Sequence, residues 1–432
     1  MMQGDFSVMR RAMVRRAAVV SLLLGACNVP PPPRRTGGID VPDASRVDAG
    51  ARCGRGMTVF ESDYQSTNVA LIDLEGRVTS ESFASSATPS VGLSAPLSGD
   101  VASPTERTEG DHVVFIDESV ASRIIWADLA TGSTEELSVA MGFWSDPRDY
   151  VEVSSTKAYV PRYLENPEPG KVPFDTGSDV LVLDPSTRTV TGSIDLHPAL
   201  GGEYPAALPN AARLVVVGDR GYVLLGALEN HDLTVPLFDS RLAVIDVTTD
   251  RVIDTLELPG LSGCAGLALS PSGTELSVLC SANPKTPAAG LAGSGIAVVD
   301  ISSTPTVMKT FGADAFGKNP LSFYGDYASP DSLAFVTFGE LDANDDPVAP
   351  DALVVLDLRT GAFETVLESD AVPFTLGGVA CDSACAVCFA ADAQRNGGVV
   401  HRFDVRDGRL ENDQPIKVER RIGLPPRYLG KF

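Results

Sequence analysis

The sequence predicts an all-β chain folded as seven four-stranded repeats closed into a ring, and three observations predict it. One phrase recurs seven times: a short β-branched run, an aspartate, a polar turn and a second strand-like run. A hairpin pattern precedes most copies, shown best by CAGLALSPSGTELSVLC, with an apolar strand, a Ser-Pro-Ser-Gly turn and another strand. Long helical periodicity is absent, while 40 glycines and 31 prolines supply turns. Two hairpins per repeat make four antiparallel strands, and seven such units describe a seven-bladed β-propeller.

The chain opens, before any repeat, on Arg10, Arg11, Arg15 and Arg16, followed by the apolar run AAVVSLLLGA. Ten apolar residues suit a secretory h-region and are too few to span a bilayer. The run ends in Leu24-Gly25-Ala26-Cys27, which resembles a bacterial lipobox. That resemblance implies a signal peptide over 1–26 and a diacylglycerol on Cys27. With Asn28 next, in place of an aspartate, it implies the outer membrane, on the periplasmic or surface face. Residues 27–52 are proline-rich with almost nothing to bury, and read as a flexible tether. Residues 53–432 are expected to form the propeller.

The seven phrases run from NVALIDLEGRVTSESF at Asn68, through RIIWADLATGSTEEL at Arg123, DVLVLDPSTRTVTGSIDL at Asp179 and RLAVIDVTTDRVIDTLEL at Arg241. They continue with GIAVVDISSTPTVMKTF at Gly295, ALVVLDLRTGAFETVL at Ala352 and VVHRFDVRDGRLENDQPIKV at Val399. Their aspartates are Asp73, Asp128, Asp184, Asp246, Asp300, Asp357 and Asp404. Seven carboxylates at one repeat position suggest a catalytic ring, but turn chemistry explains them better: such an aspartate accepts hydrogen bonds from the backbone two residues on. The chain enters at MTVFESD, which reads as the second strand of blade one. It leaves through GLPPRYLGKF, so Arg427–Phe432 is expected to supply the innermost strand of blade one and close the ring.

S-P-S-G-T-E-L-S-V followed by G-I-A-V-V-D-I resembles the YVTN-type repeat of surface-layer and quinoprotein amine dehydrogenase-like propellers. The resemblance covers the chain from Met57 onward. No copy carries the full family phrase, and blades one, two and seven are degenerate.

CDSACAVC at Cys381 has the C-x₃-C-x₂-C spacing of radical enzymes that cleave S-adenosylmethionine. An exported all-β chain is the wrong setting for that cluster, and Phe389 after Cys388 does not suit covalent haem attachment. Six cysteines remain beside Cys27, and exported cysteines are expected to be oxidised. Cys264 and Cys280 lie symmetrically about the Pro271-Ser272-Gly273 turn and are expected to pair. Cys381 and Cys388 flank the equivalent hairpin of blade seven, leaving Cys53 for Cys385 across the ring seam. Exchange of partners among these last four stays open, and a zinc site is the alternative to disulfides here.

Other motifs weigh less. GADAFGKN at Gly312 copies the Walker A glycines and lysine, but Asn319 replaces the hydroxyl residue and Pro320 opposes a helix start, so a connector is expected. DANDDP places Asp342, Asn344 and Asp346 at alternating positions that suit calcium, although Pro347 and Leu353 stand where such loops carry glycine and glutamate. A solvated acidic loop is the plainer reading, and no other cofactor is expected.

The formal charge is −23, from 34 basic and 57 acidic residues, which repels phosphate backbones and excludes nucleic acid as a partner. No serine-hydrolase elbow, paired-histidine motif or tryptophan-rich docking motif is present. Long segments in blades three to six, between second and third strands, fall on one face. The expected function is a lipid-anchored, non-enzymatic binding scaffold for an envelope protein or an extracellular ligand. The alternative is a lactonase-like or quinoprotein-dehydrogenase-like enzyme, marked by acidic or histidine side chains converging at the channel mouth. A purely structural envelope protein is a third reading.

Overall fold

A computed structural model describes residues 53–432, apart from short segments at 89, 109, 119–120, 202–206, 227, 230–231, 237–238, 283–290, 318–320, 342–346, 371–372, 395–397 and 419–422. Cys27 and the acidic residues Asp342, Asn344 and Asp346 lie outside the described residues.

The described chain forms seven four-stranded antiparallel sheets arranged as the blades of a propeller. Blade two runs Val101–Ala102, His112–Asp117, Arg123–Asp128, Thr134–Ser138, and blade three Val151–Ser154, Lys157–Pro161, Asp179–Asp184, Thr189–Asp195. Blade four uses Ala211–Val217, Arg220–Leu225, Arg241–Asp246 and Arg251–Glu257, and blade five Cys264–Leu269, Glu275–Cys280, Gly295–Asp300 and Thr306–Gly312. Blade six is Leu321–Ser329, Ser332–Thr337, Ala352–Asp357 and Phe363–Glu368, and blade seven Leu376–Asp382, Val387–Asp392, Val399–Arg406 and Arg409–Ile416. Blade one is shared between the chain's ends: Gly56–Ser62, Thr67–Asp73 and Val78–Ser85 carry Pro426–Lys431 as their innermost strand. Its register sets Met57 opposite Lys431, Thr58 opposite Gly430, Val59 opposite Leu429 and Phe60 opposite Tyr428. The closure expected from strand phase is therefore present.

Each blade is buried on both faces, which is why its central strands read as unbroken apolar runs. In GIAVVD, Ala297 and Val299 pack toward blade four, while Ile296 and Val298 pack toward blade six. One apolar cluster fills each junction between neighbouring blades. The fourth strands face solvent and are correspondingly polar, as Arg251–Glu257 shows.

Five of the seven repeat aspartates make the expected turn. Asp128, Asp184, Asp246, Asp300 and Asp357 each accept the amide two residues on, at 2.8 to 3.1 Å. Those bonds hold their carboxyls below the usual range. Asp73 instead accepts from the Arg77 amide at 2.8 Å. Asp404 departs because its strand continues to Arg406 and turns later, at Asp407 and Gly408, both with positive φ. Its carboxylate takes Arg402 and Asn412.

Three disulfides are formed. Cys264 and Cys280 face each other across blade five, and Cys381 and Cys388 across blade seven. Cys53 joins Cys385 with Cα atoms 5.4 Å apart, across a sequence separation of 332. Asp382 lies beside this last bridge, but its oxygens accept from the amides of Gly54 and Cys385, and the sulfurs are bonded to each other. The arrangement is that of a seam and offers a metal no thiolate. Gly312 ends a strand and is followed by a 3₁₀ turn over Ala313–Phe316, so the Walker-like stretch begins as a connector.

Candidate functional site

The innermost strands surround a channel, and their glycines allow close approach. A Cβ on Gly266 would meet the Phe323 carbonyl at 2.4 Å, and one on Gly430 would meet the Ser103 side chain at 2.3 Å. The channel holds a cavity of about 90 Å³ whose charged lining residues are Glu106, Arg213, Asp326 and Lys431.

Acidic groups do converge here, but most are structurally engaged. Asp149 accepts from the Thr105 amide and hydroxyl at 2.9 and 2.7 Å, from the Tyr150 amide at 2.9 Å and from the Leu214 amide at 3.0 Å. One carboxylate thus ties blades two, three and four. Asp326 does the same for blades six, seven and one, accepting from the amides of Tyr327 and Cys381, both at 2.9 Å, and from Lys431 Nζ at 3.1 Å. Burial raises the Asp149 carboxyl. For Lys431, burial alone would lower the ammonium, yet Asp326 and Glu106 hold it well above its ordinary value. Glu106 is different: its carboxylate has no hydrogen-bond or ion-pair partner among the described residues, and burial pushes it up.

A run of aromatic rings leads outward from the cavity on the face where inner strands begin. Tyr428 and Tyr324, which line the cavity, have ring centroids 5.9 Å apart. Phe323 follows at 4.5 Å from Tyr324, Phe338 at 6.4 Å from Phe323, and Phe374 at 5.3 Å from Phe338. Arg427 lies 5.3 Å over the ring of Tyr64 and donates to the Phe374 carbonyl at 3.2 Å, linking the two outer rings. Tyr64 and Phe374 are 50% and 43% exposed, and both have φ of 65°, a left-handed conformation that bulky residues rarely adopt. The surroundings enforce it. Tyr64 donates its amide to Ser62 Oγ at 2.8 Å. Asp351, fully buried, accepts from the amides of Gly339, Phe374, Thr375 and Leu376 at 2.6 to 3.0 Å.

The opposite side of the mouth is ionic. Arg148 pairs with Asp146 at 2.6 Å and Glu118 at 3.2 Å, and lies 4.9 Å over the ring of Tyr163. Burial pushes the Glu118 carboxyl up to about 8, against the pull of Arg148 and helped by Asp146 and Asp100. Burial likewise lifts the Tyr163 phenol to about 12.

The long segment of blade three is ordered from within. Arg162, fully buried, makes two bonds of 2.8 Å to Asp179. Asp175 accepts the amides of Gly170, Lys171 and Val172. Blade six adds a small hairpin, Glu340–Leu341 with Pro347–Ala349, and blade four adds Leu228–Glu229 with Asp232–Pro236. Residues 283–290 of the blade-five segment lie outside the described residues. The described histidines are elsewhere: His112 beside Glu152, His197 beside Asp195, and His401 between Asp392 and Asp413.

Sequence reasoning pointed to the long segments and missed the aromatic run, whose members come from blades one and six, the closing strand and a short connection. The one available signal was the pair of tyrosines in FYGDY and PPRYLG, each in an innermost strand.

The fold and its mouth define a seven-bladed β-propeller with an aromatic and ionic opening to a narrow channel. No protein-family model matches the chain, and no curated protein is similar to it. Solved structures share the fold. The Swd1 β-propeller domain of Myceliophteria thermophila is 13% identical with a TM-score of 0.53, covering 82% of this chain and 98% of that one. A candidate 6-phosphogluconolactonase from Bacteroides uniformis is 14% identical with a TM-score of 0.53, covering 88% of this chain and all of the other. Its counterpart from Bacteroides fragilis is 12% identical, with a TM-score of 0.50 and 89% of this chain covered. At such identities the likeness concerns the fold alone.

Proposed function

We propose that this protein is a binding module of the YVTN-like kind, tethered to the cell envelope through a lipid on Cys27, which holds its ligand on the aromatic side of the channel mouth. The observation that carries the reading is the run from Tyr428 to Phe374, whose outermost ring, Phe374, is exposed and held in strained backbone, as is Tyr64 on the other side of Arg427. Aromatic groups held rigid at a rim give large contact area at low entropic cost. The channel carboxylates Asp149 and Asp326, by contrast, are engaged by backbone amides of neighbouring blades.

The test is capture from native envelopes by crosslinking, comparing wild type with the double variant Tyr64→Ser/Phe374→Ser. Loss of a specific crosslinked species in a variant that melts like wild type supports the reading, and an unchanged crosslinking pattern overturns it. The rival reading is hydrolysis of a sugar lactone, drawn from the names of the Bacteroides neighbours and from Glu106, the channel carboxylate left free to act as a base. Turnover of lactones by the purified mature protein, abolished in Glu106→Gln, would favour that rival.

A further inference from the structure

The central cavity contains one carboxylate to which the described residues give no hydrogen bond or ion pair. Lys431 is engaged by Asp326 at 3.1 Å. Asp149 is surrounded by amide donors, and Arg213 donates to the Arg148 carbonyl. Glu106 alone among the charged cavity residues has no bond to a described residue. Lys431 lies near enough to feel its charge, but a largely buried carboxylate that receives no hydrogen bond is still costly, so the site favours a ligand that brings N–H donors and a positive charge.

The cavity also limits which cation. Hard divalent ions take six or more oxygens, whereas the other carboxylates of the channel are already occupied by amides and by Lys431. The Lys431 ammonium repels any cation in the cavity, and a doubly charged ion about twice as strongly as a singly charged one. A volume of about 90 Å³ excludes bulky rings, and the lining beside the charges is small or apolar, with Gly266, Leu267, Ala268, Gly325, Ala380 and Gly430. Tyr324 and Tyr428 line the same cavity. A slender alkyl chain ending in a group with three N–H donors matches this space.

We propose that the cavity binds a primary alkylammonium group, with Glu106 taking its charge and the alkyl stem lying against the cavity wall below the tyrosines. The proposal rests on the mouth being a binding face, and it specifies what enters beyond the rings. The same chemistry has two sources: a free small amine, or a lysine side chain of a partner seated on the mouth. Binding requires ionised Glu106, so affinity rises with pH through the raised value of that group, set among Lys431, Asp326, Asp149 and Arg107.

The experiment is thermal melting of the mature protein in n-butylammonium chloride, with tetramethylammonium chloride at equal ionic strength as the control. A lysine-containing peptide and its norleucine counterpart form a second arm. A saturable rise in Tm with butylammonium, absent with tetramethylammonium and lost in Glu106→Gln, supports the proposal with a free amine. A rise only with the lysine peptide, lost in the same variant, supports it with a partner's side chain. Glu106→Gln removes a carboxylate that makes no hydrogen bond but lies near Lys431, so its melting without ligand is measured first, and a cooperative melt that shows no shift with ligand reports loss of binding. No response to either ligand, or a response kept in Glu106→Gln, overturns it. The Tyr64→Ser/Phe374→Ser variant keeps the butylammonium response even if the mouth binds no partner, which separates failure of this proposal from failure of the mouth.

Discussion

Replacing Cys53 and Cys385 together by serine removes the covalent link across the seam with little packing loss, because Cys385 is exposed and Cys53 only half-buried. What is lost is the constraint on the unfolded chain. For a bridge with a sequence separation of 332, the chain-entropy relation gives about 6 kcal/mol at 25 °C. Natural bridges deliver up to about 5 kcal/mol, so a loss of about 4–5 kcal/mol is expected if the ring unfolds as one unit. The assay is equilibrium urea unfolding followed by fluorescence and circular dichroism, with coincident transitions as the check on two-state behaviour. The slope with denaturant should also rise, since the unlinked chain expands further when unfolded. A loss under about 1 kcal/mol with an unchanged slope would refute the reasoning. It would mean that the unfolded state is already compact, or that blades one and seven part before the rest and leave the long loop uncounted.

Deleting residues 427–432 removes the strand paired with Met57–Glu61 and should lower Tm and cause aggregation by light scattering; equal melting and protease resistance would show that blade one closes without it. Arg162→Met leaves the Asp179 carboxylate buried without its partner and should cost about 3–5 kcal/mol in denaturant unfolding. Glu118 has a folded value raised to about 8, so the folded state binds the extra proton and stability should fall as pH rises from about 4.5 to 8; Glu118→Gln should flatten that slope in melts across pH. His401 acts in the same sense at higher pH: burial opposes its proton, but Asp392 and Asp413 raise its value, so its contribution is full below about 6.5 and fades as pH climbs through the folded value. His401→Gln should remove that part of the decline. Cys27→Ser should release the folded protein from membranes on fractionation; a mutant that stays with the membrane would point to another anchor.

The propeller was legible because its determinants are local and repeated. Strands buried on both faces must be apolar throughout, and their turns need an aspartate such as Asp246, so each blade carries its own signature. Ring closure was legible from phase: a chain entering on a second strand must find a first strand elsewhere. The disulfides followed from hairpin symmetry for Cys264 with Cys280, and from closure for Cys53 with Cys385. The mouth was not legible. Tyr64, Phe323, Phe338, Phe374 and Tyr428 become neighbours only when the ring is closed, and no spacing relates them. Nor does sequence distinguish Asp149 and Asp326, which tie blades together, from Glu106, which stays free; that difference lies in which backbone amides point at each carboxylate.

Closure by the C-terminal strand has a consequence for the order of events during synthesis. Tyr428 and Lys431 belong to that strand, and both line the channel cavity. A chain that is still being made, or that has lost its end to a protease, lacks part of the mouth and the partner of Asp326 as well as one edge of blade one. The strand that completes the fold therefore also completes the lining of the channel mouth. Under the proposed binding role, molecules without this strand cannot compete for ligand, so binding would report that the strand has been delivered and docked.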